Sequence, residues 1–153
     1  MSLSIITTQP LILAGRNKTF PIGPSPGIKE LWQIFMTDFG KIPGQVGFNA
    51  YGVCHNFDGT AKTGGHMDYM CAVAVEDGGQ VPGYMHVLQI PARKTAVFTH
   101  KGPVEKIHET WGAIFDKLLP EAKLEVAPGP QFEIYGEAFN KRQDEVEIYI
   151  PVK

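Results

Sequence analysis

Apolar positions along this chain recur with two periods, and the periods alternate in order. In "GPSPGIKELWQIFMTDFG", Ile28, Leu31, Trp32, Phe35, Met36 and Phe39 fall at i, i+3, i+4, i+7, i+8 and i+11, one stripe of an amphipathic helix. Ser25 suits the N-cap, Pro26 the first helical position and Gly40 the end, so the spacing predicts a helix over Ile28–Phe39. In "KGPVEKIHETWGAIFDKLLP", Val104, Ile107, Trp111, Ile114, Phe115 and Leu118 form a second stripe, predicting a helix over Val104–Leu119 that stops before Pro120. Elsewhere the period is two. "FNAYGVCHNFD", "DYMCAVAV", "QFEIYGEAFN" and "EVEIYIPV" read as strands, separated by the turn-rich "GTAKTGG" and "KRQD".

The two stripes resemble each other. Both helices open with Pro in the first turn and carry Ile-x-x-x-Trp followed closely by Ile-Phe: Ile28, Trp32, Ile34-Phe35 against Ile107, Trp111, Ile114-Phe115. An extended, Pro-interrupted segment precedes each ("TTQPLILAGRNKTFP", "LQIPARKTAVFTHKGP"), two strands follow each, and "EDGGQVPGY" joins the halves. The chain therefore reads as one domain over residues 1–153 made of two β-α-β-β pseudo-repeats, about 3–77 and 84–153. Neither unit buries its sheet alone. The expected fold is α+β, with the units joined edge to edge into one antiparallel sheet, both helices on one face and a cleft over the centre. Such a cleft is the default place for a ligand.

Composition narrows the classes. With 43% hydrophobic and 20% charged residues, a formal charge of -2 and no basic run, nothing suits a phosphate backbone, so direct nucleic-acid binding is not expected. No apolar stretch reaches the length of a membrane span and no signal sequence is visible, which points to a cytoplasmic protein. Cys54 and Cys71 are expected as free thiols. Cys54, His55, His66 and Cys71 match no usual zinc spacing. The five histidines (55, 66, 86, 100 and 108) are scattered; an axial haem ligand among them is a rival to be tested, and no cofactor is expected. Phosphate-loop, nucleophile-elbow and zincin motifs are missing.

The candidate site residues come from alternation and from the repeat. In the last strand, Val146, Ile148 and Ile150 share one face and Glu147 and Tyr149 the other. A carboxylate there is either solvated or has a use. Glu133 and Tyr135 alternate in the same way on "QFEIY", where the acid could equally be a solvated or cross-strand partner. Trp32 and Trp111 fit a helix core, yet the repeat could set them on both sides of the cleft. Tyr51, Tyr69 and Tyr149 are wall residues with a polar tip, and Met70 and Met85 suit either core filling or an adaptable pocket.

With the duplicated order, "QIPARKTAVFTHKGPVEKIHETWGAIFDKLLP", "PGPQFEIYGEAF" and the terminal "EVEIYIPVK" in view, the chain resembles the GyrI-like small-molecule-binding domain, the effector-binding domain of AraC-type and MerR-type transcription activators. The resemblance spans nearly the whole chain and is strongest from Val81 to Lys153. It implies a cleft that takes lipophilic cations against aromatic walls with a buried glutamate as counter-charge. The glutamate of the last strand, Glu147, fits that role. A buried carboxylate favours a cation because leaving it unpaired costs several kcal/mol. The resemblance also implies two alternatives: hydrolysis of a strained electrophile with a pocket glutamate activating water, and an interaction with DNA gyrase or a regulator protein. No helix-turn-helix segment precedes the domain, so a complete chain of this length is not expected to be a self-contained DNA-binding activator.

Overall fold

A computed structural model of the chain describes residues 3–23, 25–60, 62–136 and 145–153. Its strands are β1 (Leu3–Thr7), β2 (Leu11–Pro21), β3 (Ala50–Asp58), β4 (His66–Ala74), β5 (His86–Ile90), β6 (Lys94–Lys101), β7 (Gln131–Tyr135) and β8 (Glu145–Pro151). They form one antiparallel sheet in the order β1-β6-β8-β7-β3-β4-β2-β5. Exchanging β1–β4 with β5–β8 turns this order into its own reverse. The halves meet edge to edge at β3 and β7, where Gly52 lies opposite Glu133.

The helices sit on one face of the sheet. Helix α1 (Pro26–Met36) starts at the extended Ser25 with Pro in its first turn. It ends before Phe39 because Thr37 closes onto Ile34 through both its N–H and its hydroxyl, and Gly40 takes φ +83. The second predicted helix is composite. A 3-10 turn over Val104–Lys106 leads into α2 (Ile107–Ala113), a π turn over Ile114–Leu118, and a last turn, α3 (Leu119–Glu121), which includes Pro120. Pro120 does not stop the chain before it: the π turn widens the bonding register just ahead of it, with the Leu119 N–H donating to Ile114 O, and the helical run ends one residue after the proline, at Glu121. Leu31 and Phe35 of α1 pack on Ala14, Cys71 and Val73. Ile114 and Leu119 pack on Ala96, Phe98, Ile148 and Ile150.

The edge strands are exchanged between the halves, which the repeat pattern does not reveal. β1 pairs with β6 of the second half and β5 with β2 of the first. Only residues 8–10 connect β1 to β2, and only 91–93 connect β5 to β6. In a flat sheet β1 and β2 would lie six strand spacings apart, about 29 Å. A link that short reaches about 14 Å. The sheet must coil, and the two links meet: Thr8 N–H donates to Arg93 O at 3.0 Å and Arg93 N–H to Thr8 Oγ1 at 3.2 Å. Coiling buries the face turned away from the helices. Leu13, Tyr51, Val53, Met70, Ala72, Ile90 and Phe132 form a second core there. The predicted turn "KRQD" and the "EAFN" end of its strand lie outside the described residues.

Candidate functional site

Directly opposed residues in a sheet point to the same face, so pairing fixes which side chains can meet. One row crosses the sheet as Phe98, Ile148, Glu133, Gly52, Cys71 and Arg16, on the helix face. The next runs Val97, Tyr149, Phe132, Val53, Met70 and Asn17, on the opposite face. Glu133 therefore stands at the centre of the helix-covered face.

Around it the structure gathers four aromatic side chains. Glu133 is 5% exposed. Its Oε1 accepts from the Tyr69 hydroxyl at 2.9 Å and the Tyr135 hydroxyl at 2.9 Å, and its Oε2 accepts from Trp111 Nε1 at 2.8 Å. Trp32 Nε1 donates to the Tyr69 hydroxyl at 3.1 Å. The two tryptophans, one from each helix, thus reach one carboxylate, Trp111 directly and Trp32 through a tyrosine. The Trp32 ring stands edge-on to Tyr135, centroids 5.2 Å apart, while Trp111 stacks on Phe115. Both indoles and Tyr135 stay partly exposed.

None of these four donors is a cation. Neither ion pair among the described residues, Arg16–Asp38 and Lys153–Glu125, involves Glu133. Burial raises the Glu133 carboxyl above its usual range, against the opposing pull of its bonds from Trp111, Tyr135 and Tyr69 and of the more distant His100. The same burial, reinforced by the Glu133 charge, pushes Tyr69 and Tyr135 well above the ordinary phenol range and the free thiols of Cys54 and Cys71 up as well. Reactive thiolates are not favoured there. His100 has both ring nitrogens engaged, with Thr110 Oγ1 at 2.6 Å and Pro103 O at 2.9 Å, which ties β6 to the start of α2. No three His, Cys, Asp or Glu side chains are gathered as metal ligands among the described residues.

The candidate residues divide between the two faces. Trp32, Trp111, Tyr69 and Glu133 come together, and Tyr135 joins them. Met85 is buried in the core beneath α1. Three others are corrected in position: Tyr51, Met70 and Tyr149 lie on the opposite face, where Tyr149 stacks on Phe132 at 5.0 Å and Met70 is fully buried. The expectation for Glu147 is corrected too. It pairs with Ile134 and Thr99 on that opposite face and is exposed. Ile148 and Ile150 are drawn under α2, and alternation then turns Glu147 away from the helices. Tyr135 and Gly52 were missed as site residues. The Glu-x-Tyr alternation already carried Tyr135, whereas Gly52 had no signal beyond being a glycine within a strand.

A sheet of two like halves, with a caged carboxylate beneath paired helices, is the architecture of a small-molecule-binding domain. The chain belongs to one such family, the GyrI-like small molecule binding domain, whose pattern matches residues 1–153. It is similar to the transcriptional regulator BrlR of Pseudomonas aeruginosa, 36% identical over 136 residues that cover 85% of this chain and 48% of BrlR. The chain thus spans about half the length of that curated relative. Among solved structures, SAV2435 bound to tetraphenylphosphonium matches with a TM-score of 0.74 and 22% identity, covering 100% of this chain and 94% of SAV2435. The C-terminal domain of EcmrR matches with a TM-score of 0.71 and 18% identity, covering 99% and 97%. These likenesses show the fold. No helix among the described residues is long and apolar enough to cross a membrane.

Proposed function

We propose that this domain binds hydrophobic organic cations, with Glu133 as counter-charge and Trp32, Trp111 and Tyr135 as the aromatic surround, and that it serves as the sensing part of a regulator or as a sequestering protein. One observation carries this: a buried carboxylate whose donors, Tyr69, Tyr135 and Trp111, are all neutral aromatic groups. Such a group is costly to keep charged, and a cation within a few ångströms relieves that cost. A neutral or anionic molecule does not. Indole and phenol faces add attraction of about 0.5–2 kcal/mol each for a cation above them. The tetraphenylphosphonium bound to SAV2435, which shares the fold, and the regulator identity of BrlR both support the proposal.

The test is a fluorescence titration with tetraphenylphosphonium and with neutral triphenylphosphine oxide, since Trp32 and Trp111 are the only indoles. Glu133→Gln should weaken the cation by about 1–3 kcal/mol, as when a charged hydrogen-bonding group loses its partner, and leave the neutral compound as before. Equal loss for both compounds would mean that the variant damaged the fold rather than the charge. A second use of the site rests on the raised Glu133 carboxyl, which suits it to take a proton from water. Turnover of a strained electrophile, lost in Glu133→Gln, would favour hydrolysis over binding. A partnership with DNA gyrase or a regulator protein is a separate proposal, checked by co-purification.

A further inference from the structure

Gly52 occupies the position directly across from Glu133 at the seam of the two halves. Its φ is ordinary for a strand, so the backbone does not require glycine there. Space does. A methyl group built on Gly52 would fall on the Tyr69 hydroxyl and lie 2.7 Å from Glu133 Oε1. Tyr69 springs from β4 opposite Cys54, two residues along β3 from Gly52, and its ring leans over Gly52 to reach Glu133. The hydroxyl is the end of a rigid ring, held by Trp32 on one side and Glu133 on the other, and cannot step aside without losing both bonds.

We propose that Gly52 is a positioning residue of the ligand site: its missing side chain is the slot through which the Tyr69 hydroxyl crosses to Glu133, joining the α1 side of the site to the carboxylate. The effect on ligands rests on the cation-binding role proposed above; the effect on the carboxylate does not. Filling the slot leaves Trp111 and Tyr135 on Glu133 and removes Tyr69, and with it the link to Trp32. The carboxylate then holds its proton more firmly, because one bond favouring the charged form is gone. Around Glu133 the titratable and charged groups facing it are Tyr69 and Cys71 from β4, Cys54 from β3, Tyr135 from β7 and, further off, His100 from β6.

Three variants test this: Gly52→Ala, Tyr69→Phe and both together. Carbon-13 NMR of the Glu133 carboxyl follows its titration in ligand-free protein, and titration with tetraphenylphosphonium follows binding. Gly52→Ala and Tyr69→Phe should each move the Glu133 midpoint to higher pH and weaken the cation about tenfold at neutral pH. Once the hydroxyl is gone the two remaining close atoms, Glu133 Oε1 at 2.7 Å and ring Cζ of residue 69 at 3.0 Å, are side-chain ends, and a phenyl ring freed of its bonds to Trp32 and Glu133 can shift by the few tenths of an ångström the methyl group needs. The double variant should therefore match Tyr69→Phe alone. Additive effects, or an unmoved midpoint in Gly52→Ala, would overturn the proposal. If Gly52→Ala does not fold, a folded double variant supports the slot and an unfolded one refutes it. If the parent binds no tetraphenylphosphonium, the cation proposal fails while the carboxyl titration still decides the role of Gly52.

Discussion

The tripeptide Glu-Ile-Tyr occurs twice, as Glu133-Ile134-Tyr135 on β7 and Glu147-Ile148-Tyr149 on β8, and the neighbouring copies do opposite things. In the first, the acid is buried among aromatic donors and its isoleucine lies half-buried on the far face. In the second, the isoleucine is fully buried under the second helix and the acid is exposed. Register makes the difference. Glu133 pairs with Ile148 and Ile134 with Glu147, so the copies are out of phase by one residue across the ladder. A single-residue slip in a sheet exchanges every side chain between faces. Local sequence gives a strand two faces; only its neighbours decide which is which.

Truncating the two isoleucines should break this comparison most visibly. Ile148→Ala removes a fully buried side chain from beneath α2 and should cost about 2–5 kcal/mol in urea unfolding. Ile134→Ala, at a half-buried position, should cost about 1 kcal/mol. Equal losses would contradict the assignment of faces. The tyrosines sharpen it. Tyr135→Phe removes a bond to the caged carboxylate and should weaken tetraphenylphosphonium by about 1 kcal/mol, whereas Tyr149→Phe should change binding by less than about 0.5 kcal/mol.

A smaller effect is expected in the pH dependence of folding. The Glu133 carboxyl is raised in the folded state, so the folded protein holds its proton to higher pH than the unfolded chain does. Its contribution to stability is fully present below the ordinary carboxylate range and is lost as pH rises through the raised folded value. Parent and Glu133→Gln should therefore diverge across that window, the parent losing stability relative to the variant as pH increases. Denaturant midpoints for both proteins at several pH values check the sign, and parallel curves would contradict it.

Much of the fold was legible because helix periodicity and strand alternation are local. The stripes from Ile28 and from Val104 mark the two helical segments, and their likeness pointed to the two halves. The exchange of β1 and β5 was not legible, since the partner of an edge strand is set by chain reach and coiling rather than by its own residues. At the site, the tryptophans were found through the repeat, and both converge on Glu133. The choice between Glu133 and Glu147 needed the register of β7 on β8. A partial clue lay in β8, where three β-branched residues on one face suit burial beneath a helix and leave the other face to Glu147.

The proposed site takes its charge from Glu133 and not from its twin, Glu147. Calorimetric titration of tetraphenylphosphonium into the parent, Glu133→Gln and Glu147→Gln, at two pH values spanning the Glu133 titration, tests it most directly. The parent should bind more tightly at the higher pH, because the cation needs the ionised carboxylate; Glu147→Gln should behave as the parent does. Glu133→Gln should bind about 1–3 kcal/mol more weakly and lose the pH dependence. Unchanged binding in Glu133→Gln, or the same loss in Glu147→Gln, would contradict the account.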